Sequence, residues 1–422
     1  MRVESDSPRL ARRLRQLLLP LRGTVLHLPS LERTVAQLQR LGGVGQLEVS
    51  LNRLGSDSTR AVLDVSAEPA PQPLQGDISL RNDGNSGSGQ FRALATLVKS
   101  DLVRDGDILL LFGELDGDQN PDLGYSLASL SYTLPLGDRL SLTNAFGASR
   151  RNLVEALGPS QDLSFRQFQL LSQLELTLAS SLTRRWYGIA ALSLNRTNSY
   201  LAGQALPLVT GAGADGWVGN GFLRVGLGAE GGDERLQWAA SVFGLQGIAC
   251  FSTAEQLQNQ ALFGIRPGEA RAAGGQIYGQ WRIGPGWQLE LRAAFQQAFA
   301  PLTSPMGLSL GSDNGLRGLP GQVVSGDSGL LGALELSWTA WRKHQAEIQL
   351  VPFLGAGQVH TRLPDGSFRQ SIGAGGLLVR WLQGRHWLME LGWVSQFGDE
   401  SRTYWNNWLL GNGLYSKLSY RF

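Results

Sequence analysis

The sequence predicts a mainly β protein: a transmembrane antiparallel β-barrel of about 16 strands, preceded by a partial α/β domain. Three observations carry this expectation. The chain closes on Leu414-Tyr415-Ser416-Lys417-Leu418-Ser419-Tyr420-Arg421-Phe422. Leu414, Leu418, Tyr420 and Phe422 share one strand face with Ser416, while Tyr415, Lys417, Ser419 and Arg421 share the other. Soluble chains usually fray at their last residues. A closed barrel instead ends on a strand, because that strand pairs with the first and leaves no edge. Secondly, alternating segments of strand length repeat from about residue 74 to the end. Thirdly, tight turns and long loops alternate between them, the asymmetry of an outer-membrane barrel.

Composition agrees and narrows the classes. Only 17% of the 422 residues are charged and 12 are Trp, yet no window approaches the roughly 20 apolar residues of a spanning helix. A net charge of +2 without basic clusters gives no nucleic-acid surface. The single cysteine, Cys250, excludes an intrachain disulfide and any multi-cysteine metal site. His27, His344, His360 and His386 lie in separate segments without metal-ligand spacing, and His344 has no nameable Ser partner for an outer-wall lipase. Asp313-Asn314-Gly315 is too short a run for a calcium loop and reads as a turn. No Gly-x-x-x-x-Gly-Lys-Ser/Thr phosphate loop is present. Hence no catalytic residue, metal or cofactor is expected, and the chain is not read as an enzyme.

Residues 1–73 form the first unit. The opening carries Arg2, Arg9, Arg12, Arg13 and Arg15, followed only by the short apolar Leu17-Leu18-Leu19-Pro20. That is no signal peptide, so an envelope protein would be truncated here; alternatively the arginines form the polar face of a short amphipathic helix. Pro29-Ser30 starts a helix with Leu31, Val35, Leu38 and Leu41 at helical spacing, ended by Gly42-Gly43. Val44–Leu51 and Ala61–Val65 read as strands around a turn at Gly55-Ser56-Asp57. Pro69-Ala70-Pro71-Gln72-Pro73 is a stiff linker.

The barrel unit occupies 74–422. Its strands are expected to begin near Gly76, Ser88, Asp107, Leu123, Asp138, Leu163, Arg184, Trp217, Glu234, Glu269, Trp287, Gly329, His344, Ser371, Arg385 and Leu414. Trp287 to Gln296 shows the alternation most clearly: Trp287, Leu289, Leu291, Ala293 and Phe295 against Gln288, Glu290, Arg292, Ala294 and Gln296. Tight turns are expected at Pro135-Leu136-Gly137, Ser180-Ser181-Leu182, Gly284-Pro285-Gly286, Ala340-Trp341-Arg342 and Gln383-Gly384. Long loops are expected near 150–163, 198–216, 247–268, 299–328, 360–370 and 398–413.

The longest late loop contains Leu316-Arg317-Gly318-Leu319, then Gly326-Asp327-Ser328-Gly329 and a strand bearing Glu335. This resembles the TpsB transporters of two-partner secretion, the haemolysin secretion/activation proteins (ShlB/FhaC/HecB-like), within the superfamily of outer-membrane assembly factors. Their loop motif is Val/Leu-Arg-Gly-Tyr/Phe, then Gly-Asp-x-Gly and a strand with a Glu. Here Leu319 stands where the family has an aromatic. Leu31 to Val44 followed by Leu47 to Leu51 looks like the end of a polypeptide-transport-associated (POTRA) domain. Asp77 to Leu97 looks like the family's first barrel hairpin.

The resemblance implies a protein-conducting pore that exports a dedicated TpsA-type exoprotein, unfolded, from periplasm to cell surface. The POTRA domain would capture that partner in the periplasm, and the loop near 299–328 would fold into the lumen. Arg317 and Gly318 would carry the loop role, with Leu316, Leu319, Asp327 and Gly329 completing the motif. The family's wall partner for the Arg is the Asp of a Phe-x-Asp-x-Gly strand. The matching stretch is Phe353-Leu354-Gly355-Ala356-Gly357, so Gly355 replaces the acid. Glu335 and Glu347 become the candidate partners on a wall that includes Phe353 and Gly357. Leu418, Tyr420 and Phe422 would be the insertion signal read by the barrel-assembly machinery. Otherwise the barrel should meet only lipid and be monomeric. A general barrel-assembly factor is the alternative, and a passive porin the next; a porin would not explain residues 30–68 or the Arg317 loop.

Overall fold

In a computed structural model, the protein is described over residues 2–22, the positions 31, 34, 35 and 38, and 44–54, 57–69, 74–85, 87–104, 106–118, 123–154, 162–398 and 405–422. Sixteen consecutive antiparallel strands close into one barrel. They are β1 (Leu74–Arg81), β2 (Phe91–Ser100), β3 (Ile108–Gly117), β4 (Leu123–Pro135), β5 (Leu140–Asn152), β6 (Leu163–Ser180), β7 (Arg184–Leu201) and β8 (Trp217–Gly232). The rest are β9 (Leu236–Ile248), β10 (Arg271–Gly284), β11 (Trp287–Ala298), β12 (Ser328–Lys343), β13 (Ala346–Leu363), β14 (Gly366–Gln383), β15 (Trp387–Gly398) and β16 (Leu414–Arg421).

Alternation decides which face meets what. On β13, Val351, Phe353, Gly355 and Gly357 are buried inward, while Pro352, Leu354 and Ala356 face out. Outward Leu80, Phe146, Val225, Ile277, Leu330 and Leu377 are all exposed, an apolar surface that only lipid can cover at low cost. Tryptophans gather where the turns are short: Trp287 stacks on Trp338 at 5.5 Å and Trp387 meets Tyr420 at 4.7 Å. This is the interfacial girdle expected of amphipathic rings.

The barrel closes between β16 and β1. Only five residue pairs join them, from Lys417 with Arg81 to Arg421 with Asp77. Gly76 and Phe422 add reciprocal backbone hydrogen bonds of 3.0 Å. Above the ladder, the Asn82 side chain donates to the Leu414 carbonyl (2.6 Å) and accepts from the Ser416 amide (2.8 Å), standing in for a strand that has turned away.

Two expectations about connections fail. The span 360–370 is no long loop, since β13 and β14 run on to a tight turn at Pro364-Asp365. Both faces are wet there, so the inside-outside alternation that marks a strand fades. The turn placed at Ala340-Trp341-Arg342 lies instead at His344-Gln345, because a bulge between Thr339 and Trp341 shifts the register without ending β12.

Ahead of the barrel, Arg2–Glu4 pairs parallel with Asp57–Pro69, which pairs antiparallel with Val44–Leu54. Helix α1 (Pro8–Leu18) is capped by Ser7 and buries Leu10, Leu14 and Leu18 against Leu63, Val65 and Ala67. Arg9, Arg12, Arg13 and Arg15 thus belong to an amphipathic helix, while Arg2 lies in the strand before it. Leu31, Thr34, Val35 and Leu38 are helical, but the cap at Pro29-Ser30, the Gly42-Gly43 stop, the Gly55-Ser56 turn and the linker at 70–73 lie outside the described residues. Arg13 of α1 reaches Asp101 in the β2–β3 turn (3.7 Å), so this unit touches the short-turn rim. A helix not anticipated, α2 (Ala254–Leu262), folds in the β9–β10 loop behind a Thr253/Gln256 capping box.

Candidate functional site: a lumen loop held at two walls

The loop between β11 and β12 turns into the barrel rather than out of it. Its stem is a short ladder, Leu308–Leu310 with Val324–Gly326. Asp327 fastens the base: its carboxylate accepts from the amides of Leu302 (3.0 Å) and Arg362 (2.7 Å). Gln296 donates to the carbonyls of Met306 and Asp327, both at 2.9 Å. Gly329 lies at the start of β12, where a Cβ would come within 2.4 Å of the Gln358 carbonyl.

At the tip, Leu310, Leu316 and Leu319 are fully buried with Phe353, Ala374, Val394 and Trp405. The missing acid has a steric reason. A Cβ on Gly355 would stand 3.1 Å from Leu316 Cδ2 and 3.3 Å from Ala333 Cβ, so Leu316 fills the space a side chain would need. Gly357 likewise seats Leu310, with 2.7 Å to its Cδ2. Gly318 has φ +84, and a Cβ there would meet Val394 Cγ1 at 2.5 Å. Its carbonyl accepts from Gln396 (2.7 Å), which in turn accepts from the Trp405 indole of the last loop (2.9 Å).

Arg317, between the two leucines, enters a group of four charges. It donates to both Glu335 oxygens (2.8 and 3.1 Å) and to Glu390 (2.7 Å). Arg380 donates to Glu390 (2.7 Å) and lies 3.8 Å from Glu335. These four hydrogen-bonded charges gain a third cation from Lys417, the cross-strand partner of Glu390, and the fork of Arg317 is used bidentately. Burial works against the Arg317 charge, but Glu390 and Glu335 outweigh it and hold its pKa above the ordinary value. The Tyr415 ring lies 5.7 Å from the same guanidinium.

The loop tip also reaches the opposite side of the β16–β1 closure. Asp313 accepts from Arg92 of β2 (2.6 Å), and Gly321 donates its amide to the Gly84 carbonyl (3.1 Å). Arg92 also pairs with Glu114 (2.7 Å) and lies 3.9 Å from Asp116, both on β3. Asn85 donates its amide (3.0 Å) and side chain (2.7 Å) to Asp116.

The structure thus brings Leu316, Arg317, Gly318, Leu319, Glu335, Phe353 and Gly357 into one cluster. Glu347 lies elsewhere, bonded to Thr339 (2.9 Å), Gln349 (2.6 Å) and Arg342 (2.7 Å). It shares the lumen face with Gly355 but is eight residues down the strand, about 26 Å at ~3.3 Å per residue. Leu418 and Tyr420 face outward along the closing strand, and Phe422 covers Gly76. Glu390, Arg380, Arg92 and Asp313 are site residues that the motif comparison missed. Arg380 and Glu390 were findable, since they are direct cross-strand partners of opposite charge.

The family described as haemolysin secretion/activation protein ShlB/FhaC/HecB matches residues 60–377. CdiB from Escherichia coli superposes with a TM-score of 0.79 at 16% identity, covering 100% of this chain and 76% of its own. CdiB from Acinetobacter baumannii gives 0.71 at 14% identity, covering 100% and 73%. BamA from Haemophilus ducreyi lacking POTRA domains 1–3 gives 0.57 at 12%, covering 100% and 84%. A search of curated proteins returned no match.

Proposed function

Because the chain belongs to the haemolysin secretion/activation protein family ShlB/FhaC/HecB, an outer-membrane family, we propose that it exports one dedicated TpsA-type exoprotein through its barrel. The single observation that carries this reading is the lumen loop held by Arg317 on Glu335 and Glu390. A passive porin has no use for a loop that crosses its lumen and is fastened at both walls through buried leucines and charge pairs. In a transporter the same loop is a plug that must loosen when the partner arrives.

Residues 1–73 are the periplasmic receiving unit, a partial POTRA domain and linker, ahead of the barrel at 74–422. Val44–Leu54 pairs along one side only among the described residues, so its other edge can take an extended segment by strand addition. The exoprotein passes in extended form, and its folding outside favours export. Leu418, Tyr420 and Phe422 serve as the insertion signal for the barrel-assembly machinery, and the transporter works as a monomer. The general assembly factor remains the runner-up, on the weaker likeness to BamA.

The test is secretion by cells that express this chain with the exoprotein of the neighbouring reading frame. Arg317→Ala should abolish most export while the protein still inserts, and should raise the open probability in planar-bilayer recordings. Normal export by that variant would remove the loop from the mechanism. If depleting the protein stops the assembly of unrelated barrels, the assembly-factor reading replaces this one.

A further inference from the structure

A separate group of cations lies on the outer face of β5, β6 and β7. Ser149, Gln167, Asn195 and Val218 line a lumen cavity of about 690 Å³, so their strand neighbours Arg150, Arg166, Arg196 and Trp217 point outward. Arg150 and Arg166 are direct cross-strand partners, and Arg196 pairs with Phe168, one outward step from Arg166. All three arginines are exposed. Among the described residues none is in an ion pair, and Arg150 donates only to neutral Asn152 (3.1 Å). Like charges directly opposed on a ladder repel, so this arrangement calls for an anion.

The aromatic neighbours hold the guanidiniums in place without using their hydrogen-bonding edges. Arg166 lies over the Tyr200 ring at 4.6 Å and Arg196 over Trp217 at 4.4 Å, while Phe168 stacks on Trp217 at 6.1 Å. Stacked in this way, each planar fork keeps its N–H groups free for a phosphate.

Height along the barrel selects the occupant. Exposed Phe168, Leu170, Leu174, Leu176 and Leu178 mark the lipid-facing band on β6. Ten residues at ~3.3 Å each, tilted ~45°, rise about 23 Å, close to the height of an outer-membrane apolar band. Arg166 is the next outward residue above Phe168, on the long-loop side, and so stands at the headgroup level of the outer leaflet.

We propose that Arg150, Arg166 and Arg196 bind the phosphorylated sugar headgroup of an outer-leaflet glycolipid, with Phe168, Tyr200 and Trp217 against its apolar shoulder. Native mass spectrometry of the full chain in detergent, titrated with diphosphoryl lipid A, tests this. The wild type should retain the lipid, and Arg150→Gln/Arg166→Gln/Arg196→Gln should weaken retention roughly tenfold or more. Fully dephosphorylated lipid A should bind both proteins equally and weakly, and millimolar inorganic phosphate should not displace the lipid. Equal retention by the triple variant overturns the site. Displacement by inorganic phosphate reduces it to an anion site, and equally tight dephosphorylated lipid reduces it to apolar contact; either overturns the proposal. Should the triple variant fail to show the heat-modifiable band of a folded barrel, Arg166→Gln alone gives the reading. It removes an exposed side chain without a hydrogen-bond partner among the described residues, and it should weaken retention about threefold; unchanged retention refutes the site.

Discussion

The two walls that hold the lumen loop differ in their charge balance. On one side Arg317 and Arg380 face Glu335 and Glu390 in short direct hydrogen bonds, with Lys417 as Glu390's cross-strand partner, so cations outnumber acids. On the other, Arg92 meets three carboxylates, Glu114, Asp116 and Asp313. Even with Arg151 lining the same cavity, acids outnumber arginines there. Among the described residues Asp116 Oδ1 and Arg92 Nε also lack a hydrogen-bond partner, which the first wall avoids for its four hydrogen-bonded residues. A fully bonded cluster resists change because removing any member exposes the rest. One with excess acid and unbonded atoms is poised: losing Asp313 relieves part of its own repulsion. The Arg317 side is therefore the hinge post and the Asp313 side the latch.

The comparison breaks most readily at Glu390, which accepts from both arginines. Glu390→Ala should lower the protection of amides 316–319 in hydrogen exchange by about 3 kcal/mol, as for a broken buried pair. Unchanged protection would mean that the leucines, not the charges, hold this side. Gly318→Ala comes next, combining φ +84 with a 2.5 Å approach to Val394, and should cost about 2 kcal/mol in the same measurement. Asp313→Asn should change protection across 311–315 by less than about 1 kcal/mol, since the lost pair is offset by relieved repulsion. A loss equal to that of Glu390→Ala would erase the distinction between post and latch. Smallest is the coupling in a Glu335→Gln/Arg380→Gln cycle read by the same exchange, expected at about 0.5–1 kcal/mol because the pair shares the network but at 3.8 Å makes no direct hydrogen bond. No measurable coupling would mean that the network acts only through Glu390.

The barrel was legible because lipid outside and polar lumen inside impose period two on every strand. All sixteen expected starts fall within five residues of the observed ones, the widest gap being Ser371 against Gly366. The sequence was silent where that constraint lapses, in the wet β13–β14 hairpin and at the bulge near Trp341. The site was legible only in part. Arg317 and Glu335 sit in a recognisable order along the chain, whereas Glu390 meets Arg317 from 73 residues away. Face assignment alone could not separate Glu390 from Glu347, because every inward carboxylate looks alike until its height on the wall is known. Arg92 and Asp313 are harder still. Their meeting depends on how far the loop crosses the lumen, which no strand periodicity encodes.

Gly355 and Gly357 deserve a last consequence. Leu316 and Leu310 occupy the volume their missing side chains would have filled. The wall is thus a mould of the loop tip, cut by omission. Small side chains at these positions would push the two leucines aside, and bulky ones would unseat the casting within a wall of unchanged circumference. Whether this pore is stopped or open is recorded in the wall as much as in the loop, and a search for stoppered barrels can look for paired inward glycines where no recognisable loop motif survives.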